Sequence, residues 1–197
     1  MQHDNGDANV LKGLVAGLAG GLVASWTMNQ FQAAWTRVSE GFEKPHGAQS
    51  MKPTEGQNPN ETPDAGQALS QSNEPKEEQD DATVETAKVI SKNVFGHELT
   101  QSEKKPAGAA VHYAFGTVTG GMYGAMAELA PQVTAGTGVP FGAAFWLVAD
   151  EVTVPLLGLA KGPAAYPLST HVYALASHLV YGATTELTRR CVRRYVL

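Results

Sequence analysis

The sequence predicts an all-α, polytopic membrane protein with about four transmembrane helices in an antiparallel bundle, a short amphipathic helix and a long disordered loop. Charge is the first observation behind this. Of the 14 basic and 19 acidic residues, 21 lie within residues 37–106, whereas residues 107–188 hold only five. Soluble helices need a charged outer face, which residues 107–188 lack. The mean hydropathy of −0.19 therefore averages over two very different environments.

Four apolar spans are the second observation. They cover residues 11–35, 107–129, 138–160 and 166–187. At about 1.5 Å rise per residue, roughly 20 residues cross the ~30 Å hydrocarbon layer of a bilayer, so each span is long enough. The links after Ala130 and Ala160 are short, which makes consecutive spans antiparallel neighbours.

Composition divides the chain into four regions. Residues 1–36 form an N-terminal tail and the first transmembrane helix. Residues 37–81, rich in Pro, Asn, Gln, Ser and acids, form a disordered polar loop, because they cannot bury enough apolar surface to offset chain entropy. Residues 82–106 form an amphipathic interfacial helix and a linker. Residues 107–197 form a three-helix membrane core with a basic C-terminal tail.

Small residues at four-residue spacing are the third observation. Every fourth residue lies on one helical ridge, and glycine there lets a neighbouring backbone approach closely. Such ridges are expected to face protein. The glycines predicted to pack helices are Gly13, Gly17, Gly21, Gly116, Gly120, Gly124 and Gly182.

Ionisable groups interrupt these ridges and form a candidate polar network. Its members are His112, Tyr123, Glu128, Asp150, Glu151, His171, His178 and Glu186. A charge at the bilayer centre costs at least about 2.5–3.5 kcal/mol, so such groups are expected to be buried and paired. Asp150 and Glu151 are about 100° apart on a helix and are expected to point in different directions, with the histidines as partners. Pro155 is predicted to bend their helix one turn beyond the acids.

Three segments carry a resemblance to a known family. They are "VHYAFGTVTGGMYGAMAELAP", "ADEVTVPLLGL" and "SHLVYGATTELTRR", and within them the matching positions are His112, Tyr123, Glu128, Pro155, Gly158, His178, Glu186, Arg189 and Arg190. The chain thereby resembles the YagU-like family of bacterial inner-membrane proteins, a domain of unknown function. The resemblance implies an inner-membrane location and a link to survival in acid. It brings no catalytic residues.

Charge also predicts an orientation. The basic cluster at Arg189, Arg190, Arg193 and Arg194 follows the fourth span, which favours a cytoplasmic C-terminus. With four spans, both termini are then cytoplasmic.

Three functions remain open at this point. The network senses or conducts protons or a small solute; it only pairs helices in a structural or assembly protein; or the bundle binds haem or a metal ion. We expect no cofactor, because the Glu-x-x-His pairs of di-metal bundles are missing, with haem or metal as the alternative. The expected partners are the lipid bilayer and a second copy or another membrane protein.

Other classes receive little support. The net charge of −5 gives no support to nucleic-acid binding, and the single cysteine excludes an intrachain disulfide. Phosphate-loop, nucleophile-elbow and zinc-protease motifs are missing from the sequence, so we expect no enzyme. A cleaved signal peptide is the alternative reading of the first span.

Overall fold

The computed structural model describes residues 3–38 and 80–197, and that part of the chain is helical with no strand. Helix α1 is His3–Val38. Helix α2 is Ala82–Ile90 and continues as a π-helical turn, Ser91–Phe95. Helix α3 is Gln101–Leu129, followed by a 3-10 segment, Pro131–Gly138.

Helix α4 begins as Val139–Trp146, widens into a π-helical segment at Leu147–Thr153 and ends with Val154–Leu156. After a 3-10 turn at Pro163–Ala165, helix α5 runs over Leu168–Tyr195. The predicted disordered loop falls almost wholly on residues 39–79, outside the described residues. The arginines of the predicted basic tail lie in the last turns of α5.

Helix α1 lies between α3 and α5 and runs antiparallel to both. Its glycines meet α3 in reverse order, Gly13 beside Gly124 and Gly21 beside Gly116, while Gly20 meets Thr185 of α5. Helix α4 packs along α5, and α2 packs on the first turns of α3. Helix α1 is thus flanked by α3 and α5, α4 lies on α5, and ring contacts of Phe115 with Phe145 and Tyr123 with Phe141 join α3 to α4.

The contact between α1 and α3, which we call the glycine seam, brings two backbones together. A Cβ at Gly17 would collide with the Gly120 carbonyl oxygen, and a Cβ at Gly120 would lie 2.5 Å from the Gly21 Cα. No side chain at these positions can move aside to relieve the clash. The seven predicted packing glycines all lie at helix contacts, with Gly182 meeting Gly138 and Gly142 between α4 and α5. At Gly116 the atoms that a Cβ would meet belong to the Ser25 and Tyr181 side chains.

Burial is inverted relative to a water-soluble helical protein. The largest fully buried side chains include Gln32, Glu186 and Tyr123, whereas Leu22, Val118 and Leu147 are at least half exposed. Small and polar residues fill the interior, and large aliphatic and aromatic residues cover the outside. Such a surface fits hydrocarbon better than water.

Two stretches are long and apolar enough to cross a membrane, namely Asn9–Val38 and Pro131–Leu156. Helices α3 and α5 fall short of that measure because they carry more polar residues. Two such spans are compatible with a membrane protein, but the core helix of a soluble protein can have the same length and composition. The prediction of four spans stays a prediction.

Helix α2 begins at a side-chain cap. The Asp81 carboxylate accepts hydrogen bonds from the backbone N–H groups of Thr83 and Val84 at 3.0 and 2.9 Å. Val84 is buried against α3, whereas Val94 and Phe95 are 69% and 76% exposed. The π-helical turn at Ser91–Phe95 rotates Val94 and Phe95 away from the buried face of α2, on which Val84 lies.

Candidate functional site

Two histidine–carboxylate pairs join α4 to α5. His171 Nδ1 lies 2.7 Å from the Glu151 carboxylate, and His178 Nδ1 lies 3.7 Å from that of Asp150. The expectation that the two acids point in different directions is wrong, because both face α5. Their side chains diverge along α5 instead, since His171 and His178 are two turns apart on one face.

Both acids lie in the π-helical segment Leu147–Thr153. Within it, the Thr153 hydroxyl donates a hydrogen bond to the Val148 carbonyl at 2.7 Å. Pro155 follows in the next helical turn and, having no N–H, leaves a carbonyl near the acids without its helical donor. We expected an irregularity beyond the acids; it begins before them, at Leu147. Single π-helical turns inside α-helices occur frequently at functional sites.

The hydrogen bonds constrain where protons lie. His178 Nδ1 is 2.8 Å from the Ala174 carbonyl oxygen, which can only accept, so Nδ1 carries a hydrogen. His171 Nε2 is likewise 3.1 Å from the Pro163 carbonyl oxygen. With its Nε2 hydrogen used in this way, the contact between His171 Nδ1 and Glu151 shares one further proton. The pair is either an imidazolium with a carboxylate or a neutral imidazole with a carboxylic acid.

His112 does not pair with either acid, contrary to expectation. It lies on α3, which packs against α1, and its ring contacts the Tyr113 ring at 5.5 Å. Its Nε2 is buried without a hydrogen-bond partner among the described residues. On α1, the same is true of three further buried atoms that have no hydrogen-bond partner among the described residues: the side-chain oxygen of Asn29 and both polar atoms of Gln32. The Asn29 amide nitrogen donates to the Tyr113 hydroxyl at 3.1 Å, which links this group to α3.

These unpaired atoms define an interior polar region. Buried polar groups in folded proteins nearly always have a partner, and exceptions are explained by water, an ion or function. Gln32 is 0% exposed, so water outside the protein cannot reach its amide. The Trp146 indole nitrogen on α4 is a further buried donor without a partner in the described part of the chain. The interior therefore carries more donors and acceptors than its helices satisfy.

A third polar group, the arginine–glutamate cluster, lies at the C-terminal end of α5. Arg189 contacts both oxygens of the fully buried Glu186 at 2.7 and 3.0 Å. Arg193 contacts Glu128 of α3 at 2.9 Å. The ring of Tyr123 stacks on Phe141 with 4.2 Å between centroids, and its hydroxyl points toward Glu186 without reaching hydrogen-bond geometry. Glu128, Glu186 and Tyr123 of the predicted network thus lie together, held by arginine.

Apart from His112, the residues of the predicted network form three separate groups. Glu151 with His171 lies at one end of α5, Asp150 with His178 near its middle, and Tyr123 with Glu128 and Glu186 at the other end. Sequence reasoning missed Asn29, Gln32 and Trp146. Gln32 could have been found, because an uncharged amide inside a 25-residue apolar span is itself unusual.

No group of three or more His, Cys, Asp or Glu side chains that could hold a metal ion occurs in residues 3–38 and 80–197.

The fold and site define a class: an all-helical protein with apolar helices and an interior of paired and unpaired polar groups. A family model described as a protein of unknown function (DUF1440) matches residues 70–187, and the chain belongs to that family. Neither a curated protein nor a solved structure matches the chain. The expected membership of an uncharacterised family is confirmed. The YagU-like name and the bacterial inner membrane stay predictions.

The family match covers only part of the helices that the structure describes. They include α2 to α4 and most of α5 and exclude α1 and the arginines from Arg189 onward. Both histidine–carboxylate pairs lie inside the match, while the helix that forms half of the glycine seam lies outside it.

Proposed function

We propose that this is a multi-pass membrane protein of four spans whose α4–α5 contact responds to or passes protons. The observation that carries the proposal is the pair of Asp150 and His178. His178 is buried between two helices whose outer faces are covered by apolar side chains. Histidine is the side chain whose charge changes near neutral pH. Because His178 Nδ1 donates to the Ala174 carbonyl oxygen, the Asp150 carboxylate at 3.7 Å exchanges a proton with the ring after a small side-chain movement.

Position along α5 supports this. At 1.5 Å per residue, His178 lies about 10 Å from His171 and about 12 Å from Glu186. Centring a ~30 Å hydrocarbon layer on His178 places Glu151 with His171 inside one boundary and Glu186 near the other. Titratable groups then stand at three depths, and each faces α4 or the turn before it. Gaps of about 10 Å need intervening water, for which the unpaired polar atoms of Trp146, Gln32 and His112 supply interior partners.

Proton flux tests this proposal. Purified protein in liposomes that contain a pH-sensitive dye is exposed to an acid step with a potassium diffusion potential. We expect faster internal acidification than in protein-free liposomes, and a loss of about tenfold or more in His178→Gln and Asp150→Asn. His97→Gln is the matched control, because His97 is 53% exposed on its side chain and lies between α2 and α3. Flux equal to that of empty liposomes would overturn the proposal.

The membrane and the orientation are part of the proposal. The arginines at the end of α5 support a cytoplasmic C-terminus, and the YagU-like resemblance supports a bacterial inner membrane and a role in acid stress. Cys191 is the single cysteine of the chain and is exposed beside these arginines. We expect a membrane-impermeant maleimide to label it in inside-out vesicles and not in intact spheroplasts. Equal labelling in both preparations would contradict the orientation.

A structural role is the second candidate, and the arginine–glutamate cluster favours it. Arg193 of α5 holds Glu128 of α3 at 2.9 Å, which is a helix-joining contact, and Arg189 holds the buried Glu186 of its own helix beside it. If this role is the whole function, His178→Gln lowers thermal stability in detergent without changing proton flux or survival of the host in acid.

A further inference from the structure

The last turns of α5 carry an outward ridge of mixed character, which we call the arginine ridge. It consists of Leu187, Arg190 and Arg194, spaced three and four residues apart and therefore on one helical face. Leu187 is 54% exposed, and the Arg190 side chain is 50% exposed. Arg194 is exposed too, with its guanidinium 5.4 Å from the Tyr195 ring centroid. One face of α5 therefore carries an exposed leucine next to two exposed arginines.

Among the side chains that the structure describes, this end of the helices is mainly basic. Lys12, Arg189, Arg190, Arg193 and Arg194 lie there with two carboxylates, Glu128 and Glu186. The first turns of α1 add Asp4 and Asp7 at the same end. Arg189 and Arg193 contact the two described acids, whereas Arg194 contacts neither, and Arg190 uses only part of its guanidinium on Glu186 and the Thr134 carbonyl oxygen. Exposed guanidinium groups beside exposed apolar surface favour an anionic amphiphile over a neutral one.

Depth places the ridge at the headgroups. Arg190 lies 12 residues beyond His178 and Arg194 lies 16 beyond it, or about 18 and 24 Å along α5. With His178 at the centre, the hydrocarbon ends about 15 Å away and the headgroup region extends to about 20–22 Å. The two guanidinium groups therefore bracket the level of lipid phosphates.

We propose that the arginine ridge is a binding site for the phosphate of an anionic phospholipid, with an acyl chain along Leu187. A guanidinium offers paired donors that match phosphate oxygens, and Arg190 and Arg194 are close enough on one face to share a phosphate. This site rests on the membrane embedding proposed above and not on proton handling. It faces outward, away from Asp150 and His178.

Native mass spectrometry of the protein in detergent tests the site. The protein is mixed with equal amounts of phosphatidylglycerol and phosphatidylcholine, and bound lipids are counted. Each basic residue near an anionic surface adds about 1 kcal/mol, or roughly fivefold in binding. We expect phosphatidylglycerol to be preferred, and the preference to fall at least fivefold in Arg190→Gln/Arg194→Gln. Arg37→Gln is the matched control, an exposed arginine in the last turn of α1, and should keep the preference.

Two further arms separate the outcomes. The first is Arg194→Gln alone, which leaves the contact of Arg190 with Glu186 in place. A partial loss of lipid preference in this folded variant supports the site. The second is Arg190→Lys/Arg194→Lys, which should retain most of the preference. Unchanged preference in the double glutamine variant overturns the proposal, as does displacement of the lipid by millimolar inorganic phosphate, which would indicate a site for soluble phosphate. Protein that stays in aqueous solution without detergent overturns the membrane embedding itself, whereas absence of proton flux leaves the lipid result to stand.

Discussion

Two of the helix contacts of this protein, α1 with α3 and α4 with α5, are built in opposite ways. In the glycine seam, α1 and α3 meet backbone to backbone, and Gly17, Gly21, Gly120 and Gly124 leave no room for a side chain. Between α4 and α5, close glycine contact at Gly138 and Gly142 gives way to the two histidine–carboxylate pairs and a π-helical segment. The first contact permits one arrangement. The second contains groups that change charge and a helix that departs from regular geometry, so functional change is expected there.

The largest expected effect comes from filling the glycine seam. Gly120→Leu places a side chain against the backbone of Gly21 and Gly17, which cannot yield without separating the helices. We expect a loss of unfolding free energy on the order of 3 kcal/mol, seen as a lower melting temperature in detergent. Gly162→Ala is the control, because a Cβ there meets nothing within 4 Å. A Gly120→Leu protein that melts like the parent would show that the seam is not as tight as described.

An intermediate effect is expected at the α4–α5 contact. In Asp150→Ala, His178 keeps its hydrogen bond to the Ala174 carbonyl, so no buried donor is left unpaired. The expected loss is at most about 1 kcal/mol, that of a loose ion pair, because the 3.7 Å contact is too long for a hydrogen bond. Hydrogen exchange checks the comparison directly: amides in Leu147–Thr153 should exchange faster than those of α1 around Gly21, and faster still in the variant. Equal protection of both regions would remove the distinction between a fixed and an adjustable contact.

The smallest effect is expected at the start of α3, outside the apolar part of the seam. The Glu103 carboxylate accepts hydrogen bonds from the Thr100 backbone N–H and hydroxyl at 2.8 Å each, and these, with the His97 contact, lower its pKa to about 2. A lowered pKa means that the ionised group stabilises the fold above its ordinary pKa of 4.5, and that this contribution fades as the pH falls toward 2.

Glu103→Gln should therefore lower the melting temperature slightly at pH 6 and leave it unchanged near pH 2. Thermal melts across this range measure the difference. A gap between parent and variant that persists at pH 2 would contradict the assignment to ionisation.

Sequence patterns predicted the parts of the fold that depend on local spacing. The four-residue glycine ridges lie where α1 meets α3, and His171 and His178 share a face of α5, because both features follow from the 3.6-residue period alone. What failed depends on how helices are arranged around one another. His112 has a suitable position on its own helix, but α3 packs mainly on α1 and reaches α4 through the rings of Phe115 and Tyr123, while the acids of α4 pair with α5. The π-helical segment also escaped prediction, since no local composition marks where a helix takes in an extra residue.

The π-helical segment determines which side of α4 its acids occupy. Gly142 packs on α5, and Asp150 follows eight residues later, which in a regular helix leaves the two about 80° apart in phase. One additional residue taken up by a wide turn offsets about 100° of that rotation, leaving a mismatch of about 20°. One face of α4 can therefore direct both Gly142 and, further along the helix, the Asp150 carboxylate toward α5. A regular α-helix that kept every residue of Leu147–Thr153 would instead carry Asp150 about 80° out of alignment with His178.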